Sequence, residues 1–225
     1  MTLAQDALDT VARLRRQVSD LHAELTANEL VVWTAGNISA RVPGRDLMVI
    51  KPSGVPYADL APENMVLTDL YGTPLDGSGS PSSDTAAHAY VYRHMPAVNG
   101  VVHTHSTYAT AWAARAEPIP CVLTMMADEF GGEIPVGPFA LIGDDSIGRG
   151  IVDVLSGHRS TAVLMQNHGV FTIGTDARAA VKSAVLCEEV ARTVHISAQL
   201  GDLVPIPQQH IDSLYERYHN AYGQQ

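Results

Sequence analysis

Apolar residues recur at Leu8, Val11, Leu14, Val18, Leu21 and Leu25. Steps of three and four place them on one stripe of an amphipathic helix over residues 3 to 27. Beyond it the period shortens. Val31-Val32-Trp33-Thr34-Ala35 enters Gly36-Asn37-Ile38-Ser39-Ala40-Arg41, a turn between short strands. Leu47-Met48-Val49-Ile50 and Val66-Leu67-Thr68-Asp69-Leu70 read as strands, the second ended by the turn Tyr71-Gly72-Thr73-Pro74. Residues 76 to 81 are a flexible loop, and Ala86 through Met95 has a helical pattern that Ser82, Ser83 or Asp84 can cap.

Asn99-Gly100-Val101-Val102 then runs as a strand into His103-Thr104-His105-Ser106. Ser106 is the expected N-cap of a helix to Arg115, which Pro118-Ile119-Pro120 ends. Ile119 to Met126 is mostly apolar and is expected to be extended, delivering Ala127-Asp128-Glu129-Phe130-Gly131-Gly132. Pro135, Gly137 and Pro138 mark residues 134 to 142 as an edge segment, and Asp145 to Leu155 as a short helix follows. Thr161 to Met165 and Val170 to Ile173 predict a hairpin with His168 at its tip. Thr175 or Asp176 caps a long helix to about Leu200, and Gln208 to His219 is a last amphipathic helix. Strands alternating with helices suggest, by themselves, a parallel sheet.

Composition narrows the class. With 46% hydrophobic residues in 225 the chain can build a real core, and no long linker divides it, so one domain spanning 1–225 is expected. A net charge of −10 argues against a nucleic-acid partner, which needs a basic footprint, but leaves a small anionic substrate open. Cys121 and Cys187 form no Cys-x-x-Cys pattern and suit a reducing compartment as buried small hydrophobes. Met1 to Asp20 lacks the apolar core of a signal peptide, and no apolar run is long enough to span a bilayer. The expectation is a cytoplasmic protein with no membrane partner.

Against that background a few residues carry chemistry. On a strand, His103 and His105 point to the same face, which is half of a nitrogen-ligand metal site or simply a polar edge. Lys51-Pro52-Ser53-Gly54 places a cation beside backbone donors that can cradle a phosphate, or is an ordinary turn. Asp84 reads as an N-cap or as a metal-directed carboxylate; His88, four residues on, reads as its partner or as a plain helix-surface histidine. Asp128 and Glu129 are a candidate general base or a solvated turn. Taken together, His103, His105, His168 and Asp84 match the donor set of a catalytic divalent site, with no cysteine to suggest a structural one. Such an ion polarises a carbonyl or holds charge on an enediolate.

Five motifs stand in a telling order: Gly36-Asn37-Ile38-Ser39-Ala40, Lys51-Pro52-Ser53-Gly54-Val55, Pro81-Ser82-Ser83-Asp84-Thr85, Val102-His103-Thr104-His105-Ser106 and Asn167-His168-Gly169. In this order they resemble the class II aldolase/adducin family from about Leu8 to the C-terminus. Within it the sequence is most similar to the L-ribulose-5-phosphate 4-epimerases, through Asp84, Ala127-Asp128 and the ending Tyr222-Gly223-Gln224. The resemblance implies a three-layer α/β/α domain with a mostly antiparallel central sheet, and a homotetramer with active sites at subunit interfaces. It implies Asp84, His103, His105 and His168 as ligands of Zn2+, or of Mn2+ or Co2+. It also implies a sugar phosphate held by Gly36, Asn37, Ser53, Gly54, Ser82 and Ser83 with Lys51, and Asp128 and Tyr222 as acid/base pair reaching a neighbour's site. The implied reaction converts L-ribulose 5-phosphate to D-xylulose 5-phosphate by C3–C4 cleavage and re-addition, as in arabinose catabolism. The alternatives are a class II aldolase cleaving a ketose phosphate such as L-fuculose 1-phosphate, and a non-catalytic adducin-like scaffold. Two departures concern substrate-facing surface: Met125-Met126 precedes Ala127-Asp128 where the epimerases carry a polar Thr-His pair, and Leu214 falls near a histidine of theirs.

Overall fold

A computed structural model describes residues 5–77 and 79–221. The first amphipathic stripe forms helix α1 (Gln5–Ala27), burying Val11, Leu14, Val18, Leu21 and Leu25 as the spacing predicts, while Leu8 of the same stripe is exposed. Strands β1 (Asn37–Arg41), β2 (Leu47–Ile50), β3 (Val66–Asp69) and β4 (Pro74–Asp76) follow as a meander. Helix α2 (Thr85–His94) leads to β5 (Gly100–Thr104), then helices α3 (Thr107–Arg115) and α4 (Thr124–Phe130). Strand β6 (Val136–Gly137), helix α5 (Ser146–Leu155), strands β7 (Ala162–Met165) and β8 (Gly169–Gly174), and helices α6 (Ala177–Leu200) and α7 (Gln208–Asn220) complete the order.

The eight strands lie in one sheet in the order β4-β3-β2-β1-β5-β8-β7-β6. Every pairing is antiparallel except β6 with β7 at the edge. The parallel sheet that alternation suggests is therefore not formed. The chain passes from β1 to β2, from β3 to β4 and from β7 to β8 through short turns, which only antiparallel neighbours allow.

Helices cover both faces, giving three layers. On one face Val101, Val163, Met165, Phe171 and Ile173 pack against α2 and α5. On the other, Ile38, Ala40, Val49 and Val102 pack against α1 and α6, while Ala162, Leu164 and Val170 meet α3, α4, α6 and α7. The β1–β5 register sets Asn37 opposite His103 and Ser39 opposite Val101, so both polar side chains look toward α2.

Four local expectations change. Asn37–Arg41, read as part of a turn between strands, is strand β1. Residues 124–130 are the helix α4 rather than the end of an extended run, and only Ile119 keeps a strand-like bridge, to Ile134. Residues 31–35 form a loop with Trp33 at φ 59°, not a strand. Pro74–Asp76, expected as turn and loop, pairs with β3. No helix among the described residues is long and apolar enough to cross a membrane.

Candidate metal centre

His103 projects from β5 and is 1% exposed. Its ring stacks on Phe171 at 4.1 Å and 15°, and its Nδ1–H donates to the carbonyl of Val170 at 2.9 Å. That bond assigns the tautomer and leaves the Nε2 lone pair free to bind. Nε2 lies 2.9 Å from Nε2 of His105, which stands just past the end of β5 and is exposed. His168 sits in the β7–β8 turn after Asn167, whose φ of 57° bends the chain there. Neither of its ring nitrogens has a hydrogen-bond partner. The centroids of the three rings lie 4.6, 4.7 and 5.2 Å apart, and one nitrogen from each falls within 4.8 Å of the others. Burial drives His103 down to about 3 against the pull of Asp84, and also lowers His105 and His168. All three are neutral imidazoles near pH 7, the form that ligates metal.

Asp84 holds the N-cap position of α2, yet its side chain caps nothing. Its Oδ2 instead accepts from Asn37 Nδ2 at 2.7 Å, and its Oδ1 is buried with no partner. Burial pushes this carboxyl up, but His103, His88, Asn37 and His168 together bring it below its ordinary value. Asp84 borders the three histidines without belonging to the group within 4.8 Å. A buried carboxylate oxygen and two bare imidazole nitrogens, all lacking protein partners, fit a divalent cation with nitrogen and oxygen ligands.

The turns gather beside this site. Asn37 also donates to Ser82 Oγ at 2.9 Å, the Ser82 amide donates to the Lys51 carbonyl at 3.0 Å, and the Ser53 amide to that of Ser80 at 2.9 Å. Gly36, at φ 82°, is required: a Cβ there would stand 2.7 Å from Val31 Cγ1 and 3.0 Å from the His103 carbonyl oxygen. Lys51 is 2% exposed; its Nζ donates to the carbonyls of Thr34 and Pro52, and burial lowers its pKa. Ser53, Gly54 and Ser83 stay on the surface.

Asp128 is elsewhere. It lies on α4, 3.7 Å from Arg217 of α7, and lines a cavity of about 420 Å³ with Met125, Glu129, Leu186, Arg217 and Tyr218, none of it histidine. Glu129 is held by Lys182 at 2.6 Å and by Tyr218 at 3.1 Å, which explains its burial. Tyr222 lies outside the described residues. Leu214, on α7, packs at the margin of the core.

Two residues play parts that the one-dimensional pattern hides. His88 is fully buried rather than on the helix surface. Ser106 occupies the N-cap of α3 without capping it; Glu188 of α6 does so, accepting from the amides of Tyr108 and Ala109. For His88 the sequence signal was helical spacing, in register with Asp84 and Tyr92; the capping of α3 by the distant Glu188 left none.

The model of the Class II Aldolase and Adducin N-terminal domain matches residues 16–195. The chain belongs to the class II aldolase and adducin family. Its fold is that of L-fuculose 1-phosphate aldolase, a solved structure with a TM-score of 0.86 at 24% identity over 96% of this chain and 98% of that one. YgbL of Klebsiella pneumoniae, a candidate aldolase, epimerase or decarboxylase, matches at 0.80 and 26% identity, over 91% and 99%. L-fuculose-1-phosphate aldolase of Thermus thermophilus matches at 0.69 and 25%, over 87% and 98%. The chain offers a histidine triad, His103, His105 and His168, able to hold a divalent metal.

Proposed function

We propose that this protein is a metal-dependent enzyme of sugar-phosphate metabolism that breaks and re-forms the C3–C4 bond of a ketose phosphate. The finer reading is a 4-epimerase converting L-ribulose 5-phosphate to D-xylulose 5-phosphate. One observation supports the metal-dependent reading that both activities share: three neutral imidazoles converge within 4.8 Å beside a buried carboxylate whose Oδ1 has no partner. His103, His105, His168 and Asp84 would hold the ion, zinc or alternatively manganese or cobalt.

When bound there, the ion supplies Lewis acidity for the negative charge that C3–C4 cleavage leaves on the ketose fragment. C4 is not adjacent to the carbonyl, so direct loss of its proton gains nothing from the ketone; bond cleavage avoids that difficulty. Gly36, Asn37, Ser53, Gly54, Ser82 and Ser83, with Lys51, would bind the phosphate and keep the aldehyde fragment while its carbonyl turns over. Asp128 and Tyr222 would move the C4 hydroxyl proton on opposite faces. The position of Asp128 in a separate cavity, away from the triad, supports the expectation that it serves the site of a neighbouring subunit in a homotetramer.

The second reading, an aldolase that releases its aldehyde, is favoured by the likeness to L-fuculose 1-phosphate aldolases. Incubation with L-ribulose 5-phosphate and with L-fuculose 1-phosphate separates the two. Xylulose 5-phosphate from the first substrate supports the epimerase; free aldehyde from the second supports the aldolase; no turnover of either sends the chain to the scaffold reading.

A further inference from the structure

Asp128 and Glu129 are adjacent on α4, yet their surroundings differ. Glu129 is 9% exposed, and its Oε2 accepts from Lys182 Nζ at 2.6 Å and from the hydroxyl of Tyr218 at 3.1 Å. Lys182 Nζ also donates to the Tyr218 oxygen at 2.8 Å, so the three groups close a triangle. Burial works against the charge on Lys182, but these bonds raise its pKa above the ordinary value. Asp128 instead lines the neighbouring cavity, 3.7 Å from Arg217, and its Oδ1 makes no hydrogen bond.

The corners of the triangle stand on three helices: Glu129 on α4, Lys182 on α6 and Tyr218 in the last turn of α7. With seven residues α4 is too short to hold itself, so its place is set by what it packs against. The helix α6 is a fixed reference, because Ala180, Val181 and Ala184 around Lys182 pack with Ile38 and Val102 of the sheet. The earlier half of α7 is tied by Asp212 to Arg159 at 2.5 Å, and the triangle ties its last turn. Consecutive residues of α4 thus meet consecutive residues of α7, Asp128 with Arg217 and Glu129 with Tyr218. A shift of either helix moves the Asp128 carboxylate. Proton uptake by Glu129 would break its ion pair with Lys182, which suits a fixed link and not a base.

We propose that Glu129, Lys182 and Tyr218 form a three-helix lock that sets the position of Asp128, making Glu129 a positioning residue and Asp128 the carboxylate that moves the proton. This rests on the reading of Asp128 as an acid/base group.

The test is backbone hydrogen exchange of α4 and α7, together with Co2+ titration and steady-state rates per bound Co2+, which discounts unfolded protein. In Lys182→Met the amides of both helices should exchange about 10- to 100-fold faster, the loss expected for hydrogen bonds to a charged group. Exchange in α2 and β5 and the affinity for Co2+ should stay within about twofold, because the histidines stand on other elements. On L-ribulose 5-phosphate or L-fuculose 1-phosphate, whichever is turned over, kcat should fall by about tenfold or more at unchanged KM, as for a misplaced catalytic group. Tyr218→Phe, which removes one oxygen, serves in its place if that variant does not fold. Unchanged exchange of α4 and α7 in the folded variant overturns the proposal, and so does faster exchange with unchanged kcat. Wild-type protein that turns over neither substrate overturns the acid/base reading of Asp128 instead, and exchange then decides the lock by itself.

Discussion

Glu188, near the middle of α6, closes the N-terminus of α3, its two carboxylate oxygens each 2.9 Å from the amides of Tyr108 and Ala109. The helix therefore takes its cap from a residue about eighty positions away, while Ser106 Oγ remains buried without a partner. The arrangement satisfies two otherwise orphaned amides and sets a negative charge against the positive end of the helix. It also anchors the segment that starts immediately after His105.

Glu188→Ala is expected to destabilise the protein by about 1–2 kcal/mol, the usual range for loss of a good cap. Urea unfolding measures this directly. Unchanged stability would mean that water replaces the carboxylate at no cost.

Binding of a divalent ion to the folded state alone stabilises it by mass action. At a free concentration one hundred times its Kd, the gain is about 2.7 kcal/mol. For a chain of this size that is a rise in Tm of roughly 5–11 °C. His168→Ala should abolish the rise, since one of the three converging nitrogens is gone. A Tm insensitive to Zn2+, Mn2+ and Co2+ in the wild type would count against the site.

Gly169 opens β8 immediately after His168. A Cβ there would stand 2.6 Å from the Thr104 carbonyl oxygen and 2.8 Å from His105 Cδ2. Gly169→Ala must therefore spread β5 from β8 and push the His105 ring. The expected cost is about 1–3 kcal/mol, as for other overpacking, with weaker ion binding seen by calorimetry. Wild-type affinity in this variant would show that His105 moves freely without loss.

His22 is buried on the inner face of α1 with both ring nitrogens engaged. Nδ1–H donates to the Val18 carbonyl at 2.6 Å, and Nε2 accepts the Ile38 amide at 3.2 Å. Protonation would break the second bond, and burial, outweighing the Val18 bond, pulls the ring down to about 3. The folded pKa is below the unfolded one near 6.5, so the unfolded chain binds the extra proton first. Stability is full above pH 6.5 and falls as pH drops from 6.5 toward 3, by about 1.4 kcal/mol per pH unit from this residue. In His22→Leu the slope of stability against pH between 6 and 4.5 should be smaller by about that amount. Equal slopes would show that His22 is charged in the folded protein.

The amphipathic stripe of α1, the β7–β8 hairpin with His168 in its turn, and the strand running into His103 were all legible in the sequence. Each follows from neighbours in the chain: apolar period, turn residues, β-branched runs. The order of the five motifs likewise pointed to His103, His105 and His168, which the structure brings within 4.8 Å of one another. Residues 119–126 misled because an apolar run looks the same whether it forms a buried strand or one turn of a buried helix. Here α7 supplies the surface that makes Thr124–Phe130 a helix.

What the sequence determined by itself was the chemistry available: three histidines and an aspartate on elements of recognisable type, in a chain too acidic for nucleic acid. Only the tertiary structure decided which way the sheet runs and which side chains meet. Whether Asp84 caps its helix or gives its oxygen to Asn37, and whether His88 faces water or the core, depends on the β1–β5 register and on α2 lying across it. Such contacts join residues dozens of positions apart, and a pattern of period two or 3.6 holds no record of them.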